Sequence, residues 1–97
     1  MTQPNKPKDF YADQETHPLS GLSWTSIEFD RTMDGHQVIN DDGALDLETS
    51  YDGSTQHGTF FAGESSTYDY RRRNKIYLRG VGGTSGLDFR VMAWMTG

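Results

Sequence analysis

The chain contains no cysteine, so neither a disulfide framework nor a thiolate zinc site can hold it together. Proline occurs three times, at Pro4, Pro7 and Pro18, and nowhere beyond residue 18. No apolar run approaches the roughly 20 residues that cross a bilayer as a helix, and no membrane partner is expected. No basic start leads into an apolar stretch, so no secretory signal is expected. Apolar residues are scarce, at 33% of the chain, with a mean hydropathy of −0.77. No segment repeats them at helical spacing, which excludes an amphipathic helix of useful length.

The scarcity is uneven. Within residues 1–18 the apolar or aromatic side chains, proline aside, are Met1, Phe10, Tyr11 and Ala12. Such a stretch buries too little surface to offset its ordering entropy, which predicts an extended polar arm over 1–18. Residues 19–97 are richer and should form a single β domain with one thin core, within the size range of a small fold.

What fills that domain is alternation. Ile27 and Phe29 lie two apart within 24–30, and Val38-Ile39 marks a second short strand within 36–40. Between them Met33-Asp34-Gly35 reads as a tight turn, because Asp-Gly tolerates positive φ. After the turn Asn40-Asp41-Asp42-Gly43, residues 44–51 place Leu45, Leu47, Thr49 and Tyr51 on one face and Asp46, Glu48 and Ser50 on the other. Asp52-Gly53 turns the chain toward a partner strand at 58–61, and Ala62-Gly63-Glu64 breaks it. A strand over 65–70 follows, then one over 75–79 with Ile76 and Leu78 inward. The glycine-rich loop 80–86 precedes a closing strand that sets Leu87, Phe89, Val91 and Ala93 against Asp88, Arg90, Met92 and Trp94. The fold class expected is all-β, a small antiparallel β-sandwich or barrel with an extended N-terminal arm.

Charge is segregated along the chain. Residues 1–70 hold thirteen acids against three bases, a balance of −10, whereas 71–97 hold six bases against one acid, +5. Basic strands lying beside acidic ones account for this most simply; complementary contacts between copies would use it too.

No catalytic constellation emerges. Asn40, Asp41, Asp42 and Asp46 resemble a calcium loop, but EF-hand spacing puts Val38 first and Thr49 twelfth, so the motif fails. His17, His36 and His57 sit in polar, turn-rich settings without a nucleophile elbow. Carboxylate pairs are too numerous to be specific for glycoside chemistry. The loop 80–86 lacks a Walker ending and leads into a strand. No cofactor and no metal are therefore expected. Arg71, Arg72 and Arg73, with Lys75 and the nearby Tyr68, Tyr70 and Tyr77, form the basic patch, read as ion-pairing to an acidic strand or protein neighbour. Nucleic acid is not an expected partner, because most of the chain repels phosphate. Phe10 and Tyr11 are the candidate anchors of the arm on an adjacent subunit.

The stretches 47–55 (Leu-Glu-Thr-Ser-Tyr-Asp-Gly-Ser-Thr), 57–65 (His-Gly-Thr-Phe-Phe-Ala-Gly-Glu-Ser), 75–80 (Lys-Ile-Tyr-Leu-Arg-Gly) and 89–94 (Phe-Arg-Val-Met-Ala-Trp) follow one another in an order that resembles small structural proteins of tailed-phage virions. The resemblance covers about half of the chain. It implies a non-enzymatic, many-copy virion component, in the first place a capsid decoration (cement) protein. The partners it implies are the major capsid protein or other virion proteins, with a homo-oligomer expected and the virion as location. The alternative is a tail, neck or fibre component, including a receptor or carbohydrate-binding module in which Trp24, Tyr51, Tyr68, Tyr70 or Trp94 stacks on sugar rings.

Overall fold

The computed structural model describes residues 9–68 and 72–95. Among these residues eight strands make two four-stranded sheets that face each other as a sandwich: β1 (Asp9–Asp13), β2 (Thr25–Met33), β3 (Gly35–Asn40), β4 (Leu47–Ser50), β5 (Gly58–Phe60), β6 (Ser65–Tyr68), β7 (Arg73–Gly80) and β8 (Phe89–Trp94). Sheet I has the order β1-β8-β3-β6, and sheet II the order β2-β7-β4-β5. Every pairing is antiparallel. The all-β sandwich expected from alternation is the fold observed.

The core lies where the alternating faces meet. Sheet I contributes Ala12, Val38, Phe89, Val91 and Ala93, and sheet II contributes Ile27, Phe29, Leu47, Ile76 and Leu78, all buried. Phe10 on β1 and Phe29 on β2 pack ring to ring at 5.1 Å, closing one side between the sheets. Burying one large apolar side chain is worth about 1.5–3 kcal/mol, so a core this thin leaves little margin for loss.

Three segments depart from the expected layout. First, 9–13 is extended as anticipated, but as a strand hydrogen-bonded along β8 of the same chain rather than as an arm reaching elsewhere. Composition averaged over 18 residues hides that Phe10 and Ala12 alternate toward the core, and alternation decides burial in a strand. Second, Met33-Asp34-Gly35 is no hairpin turn; it carries the chain from sheet II to sheet I. Gly35 is absent from the positive-φ glycines. Third, β4 is shorter than the 44–51 alternation suggests. The Ala44 and Leu45 N–H groups donate to the Asp42 carboxylate at 2.9 Å each, so this stretch bonds locally instead of joining the ladder.

Two polar side chains sit inside. His36 is 1% exposed and its Nε2 lies 3.1 Å from the Tyr51 hydroxyl. Asn40, also 1% exposed, donates from Nδ2 to the Leu45 carbonyl at 2.8 Å and the Phe60 carbonyl at 2.9 Å. Its Oδ1 accepts from Asp42 N–H at 3.0 Å. One amide thereby ties the end of β3 in sheet I to the end of β5 in sheet II, and a buried amide so fully satisfied stabilises where an unpaired one would cost.

Candidate functional site

The acidic turns hold the backbone. Asp52 accepts from Ser54 N–H at 2.8 Å and Thr55 N–H at 2.7 Å, and from Ser50 Oγ at 3.0 Å. These bonds favour the ionised carboxylate and hold Asp52 far below its ordinary value. Asp42 is lowered in the same way by Ala44 and Leu45. Asp46 accepts from Ala62 N–H and Glu64 from Phe61 N–H. A side chain so engaged bends the chain at a defined point, which is the ordinary work of Asp in turns.

The histidines are not arranged around a nucleophile among the described residues. His57 Nδ1 accepts from Tyr51 N–H at 3.0 Å, closing the β4–β5 loop. Thr16 Oγ1 lies 3.0 Å from His17 Nδ1 and 3.2 Å from Asp13 Oδ1, all at an exposed turn. The carboxylate here meets the hydroxyl and not the imidazole, the reverse of the order that a base-orienting triad uses. His36 lies in the strand expected over 36–40, but its setting, read from sequence as polar and turn-rich, is a buried one.

The five residues expected to make contacts fall in different places. Phe10 is half-buried: it packs against its own core and also lines a depression that it shares with Tyr11 and Trp94. Tyr11, 54% exposed, points outward from β1. Arg71 lies outside the described residues. Arg72 is exposed and pairs with Asp34 at 3.4 Å. Arg73 is half-buried, with its guanidinium 4.3 Å from the Tyr51 ring centre. The basic patch is thus partly engaged inside the fold.

The sugar-stacking candidates separate in the same way. Trp24 lies under Arg79 at 4.0 Å, and Arg79 is held by Glu48 at 2.8 Å and by the Leu22 carbonyl at 3.1 Å. Tyr51 is covered by Arg73 and His36. Tyr70 and the Tyr68 side chain lie outside what is described. Of the three whose side chains are described, Trp94 alone stands on an open sheet face.

Among the described residues two surfaces are apolar. One is a loop end where Leu22, Phe61 and Val81 are 68%, 60% and 39% exposed. Asp46 gathers it: its carbonyl accepts from Val81 N–H at 3.0 Å and its carboxylate from Ala62 N–H at 3.1 Å, while Leu22 packs over Gly83. The other is the outer face of sheet I. There β8 turns Met92 and Trp94 outward, Tyr11 lies opposite Met92 on β1, and Gln37 lies opposite Met92 on β3. Tyr11, Met92 and Trp94 wall a depression of about 350 Å³. A second depression, of about 290 Å³, shares Tyr11 and is bordered by Asp13, Glu15, Asp41 and Asp88 against Arg90. Arg90 is bound by Asp41 through two bonds, of 2.6 and 2.9 Å, which raise its already high pKa.

Comparison with family models, curated proteins and solved structures finds no match to this chain. The outward pair Met92 and Trp94 is legible in the alternation of residues 87–94. The loop end is not, because Leu22, Phe61 and Val81 are far apart in sequence, and Phe61 reads as the last residue of the 58–61 strand although β5 ends at Phe60.

Proposed function

We propose that the chain is a non-enzymatic virion structural protein that decorates a phage head in many copies, docking on the major capsid protein. The observation that carries this reading is the apolar loop end. Three large side chains exposed together, on a chain so poor in them, are expensive to leave in water, and such a patch characteristically marks a protein contact. The order of features from residue 47 to residue 94 supports the phage assignment. The engagement of the turn carboxylates by backbone N–H groups supports a structural role. A patch of this size binds weakly alone, and repetition over a shell multiplies weak contacts through avidity. The alternative, a tail, neck or fibre component, is favoured by the separate aromatic face of sheet I.

The test is occupancy on purified heads. Leu22→Asp and Phe61→Asp should each lower binding to heads by at least about tenfold, because a charge is forced into an apolar contact. Their melting temperatures should stay near that of the parent chain. Immunogold label confined to the tail, or occupancy unchanged by both substitutions, would overturn the proposal.

A further inference from the structure

The outer face of sheet I is a different kind of surface from the loop end. Its aromatics stand on regular strands, fixed by register, and polar groups frame them: Gln37 beside Met92 on β3, Thr67 opposite Gln37 on β6, and Asp13 opposite Arg90 on β1. The Trp94 indole lies against Gly35, whose missing Cβ lets the ring come down onto β3. Tyr11 and Trp94 then stand either side of Met92, walling the shallow depression.

Size and charge decide what such a face can hold. Four strands about 4.8 Å apart and four to six residues long cover a flat footprint of roughly 330 Å². A stable protein pair buries about 800 Å² of accessible surface on each side, so a second copy would have to reach beyond this footprint, whereas a sugar ring fits within it. Next to Tyr11, four carboxylates stand against one guanidinium. That border repels sialylated, sulfated or phosphorylated ligands and leaves acceptors for hydroxyl groups. A sugar ring has an apolar face that stacks on an aromatic ring and a rim of hydroxyls that bond to amide, hydroxyl and carboxylate groups.

We infer that the outer face of sheet I binds a neutral oligosaccharide, one ring stacked on Trp94 or Tyr11 and its hydroxyls directed to Gln37, Thr67 and Asp13. This is a second activity, separate from docking at the loop end, and it would let a particle-bound copy hold a glycosylated surface.

The experiment uses the full chain on an array of neutral, sialylated and sulfated oligosaccharides, followed by titration calorimetry with the best neutral binder. Neutral glycans should bind and anionic ones should not. Tyr11→Ser and Trp94→Ala should each weaken binding by at least tenfold, and Trp94→Phe should recover part of the loss. Tyr11 is exposed, so Tyr11→Ser keeps the test decisive even if Trp94→Ala fails to fold. Leu22→Asp and Phe61→Asp should bind sugar normally, which separates this inference from the docking proposal. No neutral glycan bound below millimolar concentration, binding of anionic glycans alone, or affinity untouched by Tyr11→Ser would overturn it. So would concentration-dependent dimerisation that protects the Trp94 face from hydrogen exchange.

Discussion

The indole of Trp94 lies directly on the backbone of Gly35: a methyl group built there falls 2.7 Å from three of the ring atoms. The two residues are register partners on β8 and β3, and the Asp34 N–H donates to the Trp94 carbonyl at 2.8 Å beside them. Glycine is required here for space and not for a left-handed backbone. Gly35→Ala should therefore destabilise the fold by about 1–3 kcal/mol through overpacking. In a Trp94→Ala background the same change should cost less than half as much, a coupling that urea denaturation of the four variants measures.

Asn40 is the next place where one side chain holds two sheets. Asn40→Leu leaves the Leu45 and Phe60 carbonyls without their donor. The expected loss is about 2–4 kcal/mol, since each buried group stripped of its partner costs about 1–3. Asn40→Asp should do no better at neutral pH, because an ionised carboxylate offers no donor and faces two carbonyl oxygens. Denaturation midpoints of the two variants check both statements.

Acid should loosen the turns. Asp52 and Asp42 are both held below the ordinary value of 3.8 by hydrogen bonds from backbone N–H groups. A folded value below the unfolded one means their stabilisation is fully present above the unfolded pKa. It is lost as pH falls below 3.8 toward the folded values. Midpoints for urea unfolding should hold steady from neutral pH to about 5 and then decline. Asp52→Asn keeps an acceptor but cannot titrate, so its decline should be shallower; an equal slope would count against this role.

Truncation separates the two halves of the N-terminal stretch. Removing residues 1–8 takes away one apolar side chain, Met1, and stability should stay within about 0.5 kcal/mol of the parent. Removing 1–13 deletes β1, uncovers the edge of β8 and takes Phe10 and Ala12 out of the core. That variant should be unfolded or aggregated, as circular dichroism and size-exclusion chromatography would report. Phe10→Ala alone should cost about 1–3 kcal/mol, below the full cavity penalty because the ring is half-buried.

Much of the sandwich is legible without coordinates. Period-two patterns at Ile27–Phe29, Leu47–Thr49, Ile76–Leu78 and Phe89–Ala93 correctly separate inner from outer faces, because in a strand the side of each residue follows from its parity. The turns at Gly53 and Gly63 were readable for a similar reason: both glycines have positive φ, at 78° and 81°, which other residues rarely adopt. Ser50 broke the pattern. It is fully buried on the nominally polar face because its hydroxyl bonds Asp52 and Gly53 within the turn.

What the residue order determined by itself, then, is local: which segments are strands, which side of each is apolar, and where the chain bends. Those properties depend on near neighbours, so they survive without knowledge of the fold. Beyond the β4–β5 pair that the Asp52-Gly53 turn already implied, which strand lies beside which was decided only by the tertiary structure. It made 9–13 an edge of sheet I, carried the chain between sheets at Asp34, buried His36 and Asn40, and brought Leu22, Phe61 and Val81 to one end. Each of those facts depends on contacts between residues distant in sequence, and alternation carries no record of them. The same holds for Gly35: its glycine is explained only when Trp94 is seen to lie on it.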